Sequence, residues 1–284
     1  MMNDLFVHRA APLFGRARKL LHVQPMDYAA FCQACGQDAG DLESFEKYAC
    51  VGGIPKYWEF LEAGQDVVQL AESLYFDFAP YMEQEPQRIL RDEGVAGLNA
   101  VAVLEAIGRG AERPSEIASR LGTAQTNLSR PLQQLLDASI LTRELPFGES
   151  VRSTRKVLYR IQDPTLRFWF RVFSPHQSLW RTYPKAQRRK LIRDHGATVF
   201  EDFCRARIPG AQRYWQGDVK LDLVARDPED GRRLLVAEVK WQRLSTAERK
   251  KLIHELESKW SRCSLRDRHP DVRFAVFDAG ILAS

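Results

Sequence analysis

The chain has 284 residues, of which 44% are hydrophobic and 28% are charged. This balance excludes a disordered chain, and at about 150 residues per domain the length indicates more than one domain. The 42 Lys and Arg residues against 37 Asp and Glu residues give a net charge of +5, which permits nucleic-acid binding without requiring it.

Three further features bear on where the protein resides. The most apolar stretch, residues 98–107, contains Glu105 and is far short of the ~18 uncharged residues of a membrane span. The first residues lack the basic and apolar regions of a secretory signal. Five cysteines form an odd, sparse set, which is typical of reduced thiols. We therefore predict a cytoplasmic protein without a membrane partner.

Residues 1–92 are rich in aromatic residues and are predicted to be a helical segment. The motif VGGIP at 51–55 interrupts the helical pattern, because paired glycines permit positive φ and a proline suits the first turn of a new helix. Between residues 57 and 81, apolar side chains recur at three- and four-residue steps, which is typical of buried helices.

Residues 93–160 have the pattern of a winged helix-turn-helix. Helices are predicted over 98–107, 114–122 and 125–137, with Gly122 as a C-cap, and strands over 140–145 and 156–161. Three helices followed by a hairpin with a basic tip are the layout of that fold.

The third helix and the hairpin supply the candidate DNA-binding residues. Short amide and hydroxyl side chains on the helix suit base edges, and cations at the hairpin tip suit phosphates. The candidates are Gln125, Asn127, Ser129, Arg130, Arg152, Arg155 and Lys156. Winged helices also serve as protein-interaction or spacer modules, and the sequence leaves that alternative open.

Residues 161–284 contain a predicted helix at 197–207 and two predicted buried strands at 219–225 and 234–241. Strict alternation puts Leu221 and Leu223 on one face of the first strand, and Asp222 and Val224 on the other. If the intervening loop closes around Asp230, Asp222 lies opposite Glu238.

Two opposed carboxylates destabilise a sheet unless a cation lies between them, and oxygen ligands favour Mg²⁺. Asp222 and Glu238 are therefore the predicted metal ligands. Lys240 projects from the same face, where it can orient a metal-bound water against a phosphodiester. Glu201, on the preceding helix, is a candidate further ligand.

Three alternatives stay open for these acidic residues. A structural ion pair accounts for Glu238 and Lys240, although it accounts less easily for Asp222. Asp218 has the same strand parity as Asp222 and competes with it as the ligand. Glu201 is equally well explained as an exposed helix charge.

An acid, a hairpin and then Glu-Val-Lys resembles the PD-(D/E)XK nuclease-like fold, here without the proline before the acid. The whole chain resembles the C-terminal part of the archaeal-type, prokaryotic AAA-superfamily ATPases. The matching segments are residues 11–16 (APLFGR), Tyr48, 51–57 (VGGIPKY), 159–170, Asp222 and 238–241 (EVKW). The resemblance implies the end and lid of an ATPase module over 1–92, a winged helix over 93–160 and a nuclease-like domain over 161–284.

The chain departs from that family in lacking the motif Gly-x-x-x-x-Gly-Lys-Ser/Thr. We therefore expect neither ATP binding nor ATP hydrolysis by this chain alone, and a truncated or split gene product is expected. The predicted fold is multidomain α+β. The predicted function is Mg²⁺-dependent cleavage of DNA, and the alternative is a catalytically silent DNA-binding or regulatory module, or a fragment, of an ATP-binding protein. A separate P-loop ATPase chain is a candidate partner.

Overall fold

A computed structural model describes residues 23–77, 80–95, 97–152, 154 and 156–283. The fold is a mixture of α-helices and two small β-sheets. Residues 11–16 and Arg155, which the sequence analysis singled out, lie outside the described residues.

The described N-terminal part is helical, as predicted, and several short helices occur along the stretch from residue 57 to residue 76. The elements are α1 (Tyr28–Cys35), α2 (Leu42–Val51), α3 (Pro55–Trp58), α4 (Val67–Ala71), which continues as a π-helical turn (Glu72–Phe76), and α5 (Glu85–Asp92). The side chain of Asp66 accepts hydrogen bonds from the backbone N–H groups of Val68 and Gln69. This N-cap starts a new helix, so apolar periodicity continues across a break in the backbone.

The middle part follows the predicted order of elements. It contains α6 (Leu98–Gly108), α7 (Pro114–Leu121), a 3₁₀ turn (Gln125–Leu128), α8 (Ser129–Asp137), β1 (Leu141–Glu144) and β2 (Leu158–Ile161). Gly122 ends α7 in the left-handed conformation, as predicted. The third helix differs from the prediction because its first turn is 3₁₀. Strands β1 and β2 pair antiparallel, with Leu141 opposite Ile161.

The C-terminal part forms the larger sheet. It contains α9 (Pro164–Phe168), continuing as a π-helical turn (Trp169–Phe173), α10 (Ser174–His176), a 3₁₀ turn (Trp180–Thr182), α11 (Lys185–Ala206), β3 (Gln212–Gln216), β4 (Val219–Arg226), β5 (Leu234–Lys240), α12 (Thr246–Ser261), β6 (Val272–Asp278) and a final 3₁₀ turn (Ala279–Ala283). The strand order is β3-β4-β5-β6. Only the β5–β6 pair is parallel. Helix α11 begins well before residue 197, where the prediction began it.

Strand β4 carries a β-bulge that the sequence analysis missed. In its register with β3, Gln212 pairs with Val224 and Tyr214 pairs with Leu221. The stretch of β4 between these two pairs therefore contains one residue more than the matching stretch of β3. The prediction that Leu221 and Leu223 share a face is therefore wrong. Leu221 packs in the same core as Val224, whereas Leu223 packs in a separate core on the other face.

The largest core crosses the predicted domain boundaries. Its buried residues run from the N-terminal helices through the middle helices to α11, and they include Val239 and Trp241 of the sheet region. The indole N–H of Trp241 donates a 3.2 Å hydrogen bond to Glu46 of α2. The three-part division of the chain stays a prediction, but α2 and the end of β5 are packed together.

Candidate active site

Asp222 lies at the bulge of β4, next to the end of β5. The hairpin closes around Asp230 as predicted, because Leu223 pairs with Ala237 and Arg226 with Leu234. The carboxylate Oδ2 of Asp222 accepts a 3.0 Å hydrogen bond from the backbone N–H of Val239. Burial and the charges of Glu238 and Glu201 raise the pKa of Asp222 to about 6. Bulges commonly redirect a side chain next to a functional site.

Glu238 is held between two lysines. Lys240 Nζ lies 2.7 Å from Oε1 of Glu238, and Lys259 Nζ of α12 lies 2.9 Å from Oε2. Burial alone would raise the pKa of Glu238, but the two lysines lower it. Burial likewise opposes the charge of Lys240, whereas Glu238, Asp222 and Glu201 together raise its pKa. The site therefore combines three acids and two ammonium groups.

The structure bears differently on Glu201 and on Asp218, the two acids whose roles the sequence left open. Glu201 is half-buried on α11, lies 3.7 Å from Arg205 and acts electrostatically on both Asp222 and Lys240. It is therefore part of the cluster. Asp218 is exposed and forms an ion pair with Arg262. The geometry thus favours Asp222 over Asp218 as the acid beside Glu238.

Two neighbouring cavities adjoin these acids. Asp222, Lys220 and Tyr214 line one cavity together with residues of α7. Glu201 lines a second cavity beside α6 and β2. Glu112 and Arg213 line both cavities, and we call this pair of cavities the cleft.

The donor set is compatible with a magnesium ion. Across the described ranges there is no group of three or more His, Cys, Asp or Glu side chains arranged to hold a metal. Mg²⁺ commonly takes one or two protein carboxylates and fills its remaining positions with water and substrate phosphates. Asp222 and Glu238 are the residues that would supply those carboxylates. Burial, and after it the charges of Glu238 and Glu201, raise the pKa of Asp222, and a bound cation would favour the ionised form.

The predicted DNA-binding residues lie apart from the acids in the chain. Gln125, Asn127, Ser129 and Arg130 are all exposed, while Leu128, Leu132 and Leu135 are buried beneath them. Arg152 and Lys156 are exposed in the loop between β1 and β2. The base of that loop is fixed to the larger sheet, because Phe147 N–H donates a 2.8 Å hydrogen bond to the carbonyl of Arg213.

Several residues at the site were not predicted as site residues. Lys259 was only one of many cations on its helix, and its contact with Glu238 depends on how α12 packs on the sheet. Arg205 donates a 3.1 Å hydrogen bond from Nη1 to the carbonyl oxygen of Asp222. The position of Arg205 one helical turn after Glu201 was a signal that could have been read, since residues four apart share a helix face.

No helix in the described ranges is both long and apolar enough to span a membrane.

Comparisons with known proteins give a family match and one distant relative. Residues 169–252 match the family model DUF234, described as archaeal and bacterial proteins of unknown function. A protein of Methanocaldococcus jannaschii, named uncharacterized protein MJECL04, is 25% identical over 291 residues. The match covers 94% of this chain and 63% of that relative, so the chain spans less than two thirds of the relative's length. No solved structure matches the chain. The chain is thus similar to archaeal and bacterial proteins through the region that carries α11, Glu201, Asp222, Glu238 and Lys240.

Proposed function

We propose that this chain is a DNA-binding protein that cleaves phosphodiesters with Mg²⁺ at Asp222, Glu238 and Lys240. The observation that carries the proposal is the cluster itself: two carboxylates from adjacent strands, an ammonium group two residues beyond one of them, and a third acid from α11 that acts electrostatically on both strands. An isolated structural ion pair would need neither Asp222 nor Glu201.

The order of elements supports a PD-(D/E)XK-like domain as part of this proposal. Helix α11 carries Glu201, three antiparallel strands carry Asp222 and then Glu238 with Lys240, and α12 leads to a parallel fourth strand. The order of α6 to β2 supports a winged helix in the same way. Kinship with the C-terminal part of prokaryotic AAA-superfamily ATPases belongs to the proposal too, and it rests on the matching motifs.

Each residue has a role that follows from its surroundings. Mg²⁺, when bound, would polarise the phosphodiester and activate water. Asp222 and Glu238 would hold the ion, and Glu201 would contribute a further carboxylate. Lys240 remains charged because of Glu238, so its ammonium group orients a water or stabilises phosphate oxygens by hydrogen bonds.

The test is a nuclease assay on the full chain with supercoiled and linear DNA, with and without Mg²⁺. We expect cleavage that EDTA abolishes and that Asp222→Asn, Glu238→Gln and Lys240→Met each reduce at least ~100-fold, the usual scale for a positioned catalytic group. Asp218→Asn is the matched control and should retain activity. Cleavage that persists in all three site variants would exclude this site.

A catalytically silent regulatory or DNA-binding module is the second candidate. It is favoured by the engagement of both oxygens of Glu238 with Lys240 and Lys259, since a metal would have to compete with these ammonium groups. Wild-type protein that binds DNA but never cleaves it, at any divalent cation concentration, would establish this alternative.

DNA binding itself is tested at the exposed helix and loop. Replacing Arg152, Arg155 and Lys156 with glutamine should weaken binding to every DNA sequence and reduce the slope of log affinity against log salt, because phosphate contacts release counterions. Replacing Gln125 and Asn127 with alanine should reduce sequence preference instead. Unchanged salt dependence in the triple variant would argue against a phosphate-binding hairpin.

A further inference from the structure

The second cavity of the cleft, which adjoins Glu201, is rich in arginine. It has a volume of about 120 Å³ and lies between α6, β2, the π-helical turn after α9, and α11. The charged side chains that line it are Arg160, Arg167, Arg171, Arg213, Glu112 and Glu201. Cations therefore outnumber acids by four to two at its walls.

Two of these arginines are fully occupied by protein partners. Arg160 donates to Glu144 at 3.0 Å and to Asp202 at 2.8 Å. Arg167 donates to Asp202 at 2.6 Å and to the carbonyl oxygen of Ile161 at 2.7 Å. Their charges are balanced, and their hydrogen bonds fix the walls of the cavity.

Arg171 differs from them, because it forms no hydrogen bond or ion pair with any described residue. It lies in the π-helical turn Trp169–Phe173, and such irregular turns are frequent at functional sites. Burial and the neighbouring charges of Arg167 and Arg160 lower its pKa, while Asp194 and Glu112 offset this only in part without contacting it. Its side chain is exposed to solvent, so its guanidinium donors can reach a ligand.

Arg213 is also only loosely engaged. Its Nη1 lies 3.4 Å from Glu144 and 3.8 Å from Glu112, distances beyond a charge-assisted hydrogen bond of good geometry. Arg213 lines both cavities of the cleft. Donors therefore extend from Arg171 toward Asp222.

We propose that Arg171 and Arg213 bind a phosphate group in this cavity. A guanidinium binds phosphate oxygens through two parallel hydrogen bonds, and both arginines line this cavity. The phosphate belongs either to a DNA backbone or to a free or terminal phosphate. That it comes from a DNA substrate rests on the proposed function.

The experiment measures binding in EDTA, so that it does not depend on metal or on cleavage. The probes are inorganic phosphate, a labelled DNA duplex with 5′-hydroxyl ends, and the same duplex with 5′-phosphate ends. The variants are Arg171→Gln, Arg171→Lys and, as a control with the same charge change, Arg181→Gln. Arg181 is exposed and lies 3.9 Å from Asp77.

We expect Arg171→Gln to weaken binding about tenfold, the scale of one charge-assisted pair, and Arg171→Lys to have a smaller effect. Arg181→Gln should bind as the wild type does. Because Arg171 is repelled by its neighbours, Arg171→Gln should unfold at a temperature equal to or above that of the wild type, and phosphate should stabilise Arg171→Gln less than it stabilises the wild type and Arg181→Gln. This thermal result separates a binding defect from a folding defect.

The probes distinguish the sources of the phosphate. Equal effects on both duplexes identify a backbone phosphate, whereas an effect confined to inorganic phosphate and the 5′-phosphorylated duplex identifies a free or terminal one. If Arg171→Gln binds all three probes with the affinity of the wild type, the inference is overturned, even if Mg²⁺-dependent cleavage is observed. Phosphate binding that requires Arg171 in a protein without nuclease activity would leave the inference intact and overturn the proposed function.

Discussion

Lys259 Nζ lies 2.9 Å from Oε2 of Glu238, so a lysine from α12 occupies one oxygen of the carboxylate that β5 presents. The other oxygen contacts Lys240. This pairing compensates the charge of Glu238, and a divalent cation bound as proposed would have to compete with Lys259.

Replacing Lys259 should therefore strengthen Mg²⁺ binding. We expect Lys259→Met to lower the Mg²⁺ dissociation constant by about three- to tenfold, because one oxygen of Glu238 is freed and a repelling charge is removed. Isothermal titration calorimetry would measure the change. Lys250→Met, an exposed position on the same helix, is the control. Weaker Mg²⁺ binding by Lys259→Met would contradict the competition.

The ionised carboxylate of Asp222 should lower the free energy of unfolding at neutral pH. Its folded pKa of about 6 lies above its usual value of 3.8, so ionisation above pH 6 opposes folding, and lowering the pH toward 4 removes the penalty. We expect Asp222→Asn to raise the free energy of unfolding by about 1–3 kcal/mol at pH 7.5, with the gain shrinking below pH 6. Urea unfolding at several pH values measures this.

The control for that measurement is Asp218→Asn, whose exposed ion pair with Arg262 should contribute about 0.5 kcal/mol or less. A destabilised Asp222→Asn protein at pH 7.5 would show that the carboxylate has stronger partners than those described.

His195 should make the fold sensitive to acid. Its ring is fully buried, Nε2 donates to the carbonyl oxygen of Ala49 at 2.8 Å, and burial lowers its pKa to about 3. The folded state therefore binds a proton less readily than the unfolded state, whose histidine titrates near 6.5. Stability is fully present above pH 6.5 and falls as the pH decreases from there toward 3.

His195→Gln keeps a hydrogen-bond donor for Ala49. As the pH falls from 6 to 4, we expect the free energy of unfolding of this variant to decrease by about 1 kcal/mol less per pH unit than that of the wild type. His254→Gln, at an exposed position of α12, should follow the wild-type curve. Chemical denaturation across this range is the measurement, and parallel curves for His195→Gln and wild type would refute a neutral buried histidine.

Gly53 should tolerate no side chain. A Cβ added there would lie 2.2 Å from the carbonyl oxygen of Met26, 2.8 Å from its backbone nitrogen and 2.8 Å from Cβ of Pro25, and the two Met26 atoms are backbone. We expect Gly53→Ala to lower the free energy of unfolding by about 2 kcal/mol or more. Gly231→Ala, where a Cβ would meet nothing within 4 Å, should change it by less than ~0.5 kcal/mol. Similar thermal unfolding of both variants would contradict this packing.

The sequence by itself determined the local features of this protein. Alternating apolar residues determined both strands of the hairpin, and the symmetric loop put Asp222 beside Glu238, because hairpin register follows from loop length. The α7 boundary followed from Gly122, whose left-handed conformation only a few residues adopt readily. Gln125 to Asp137 was predicted as one helix, and the structure is helical over this range although its first turn is 3₁₀.

Only the tertiary structure decided the rest. The bulge in β4 depends on how β3 pairs with it, and alternation within one strand contains no information about its neighbour. The contacts of Lys259 with Glu238 and of Trp241 with Glu46 join residues 21 and 195 positions apart. Such contacts, like the isolated guanidinium of Arg171, arise from how helices pack on the sheet, because each local pattern permits many packings and only the assembled core selects one.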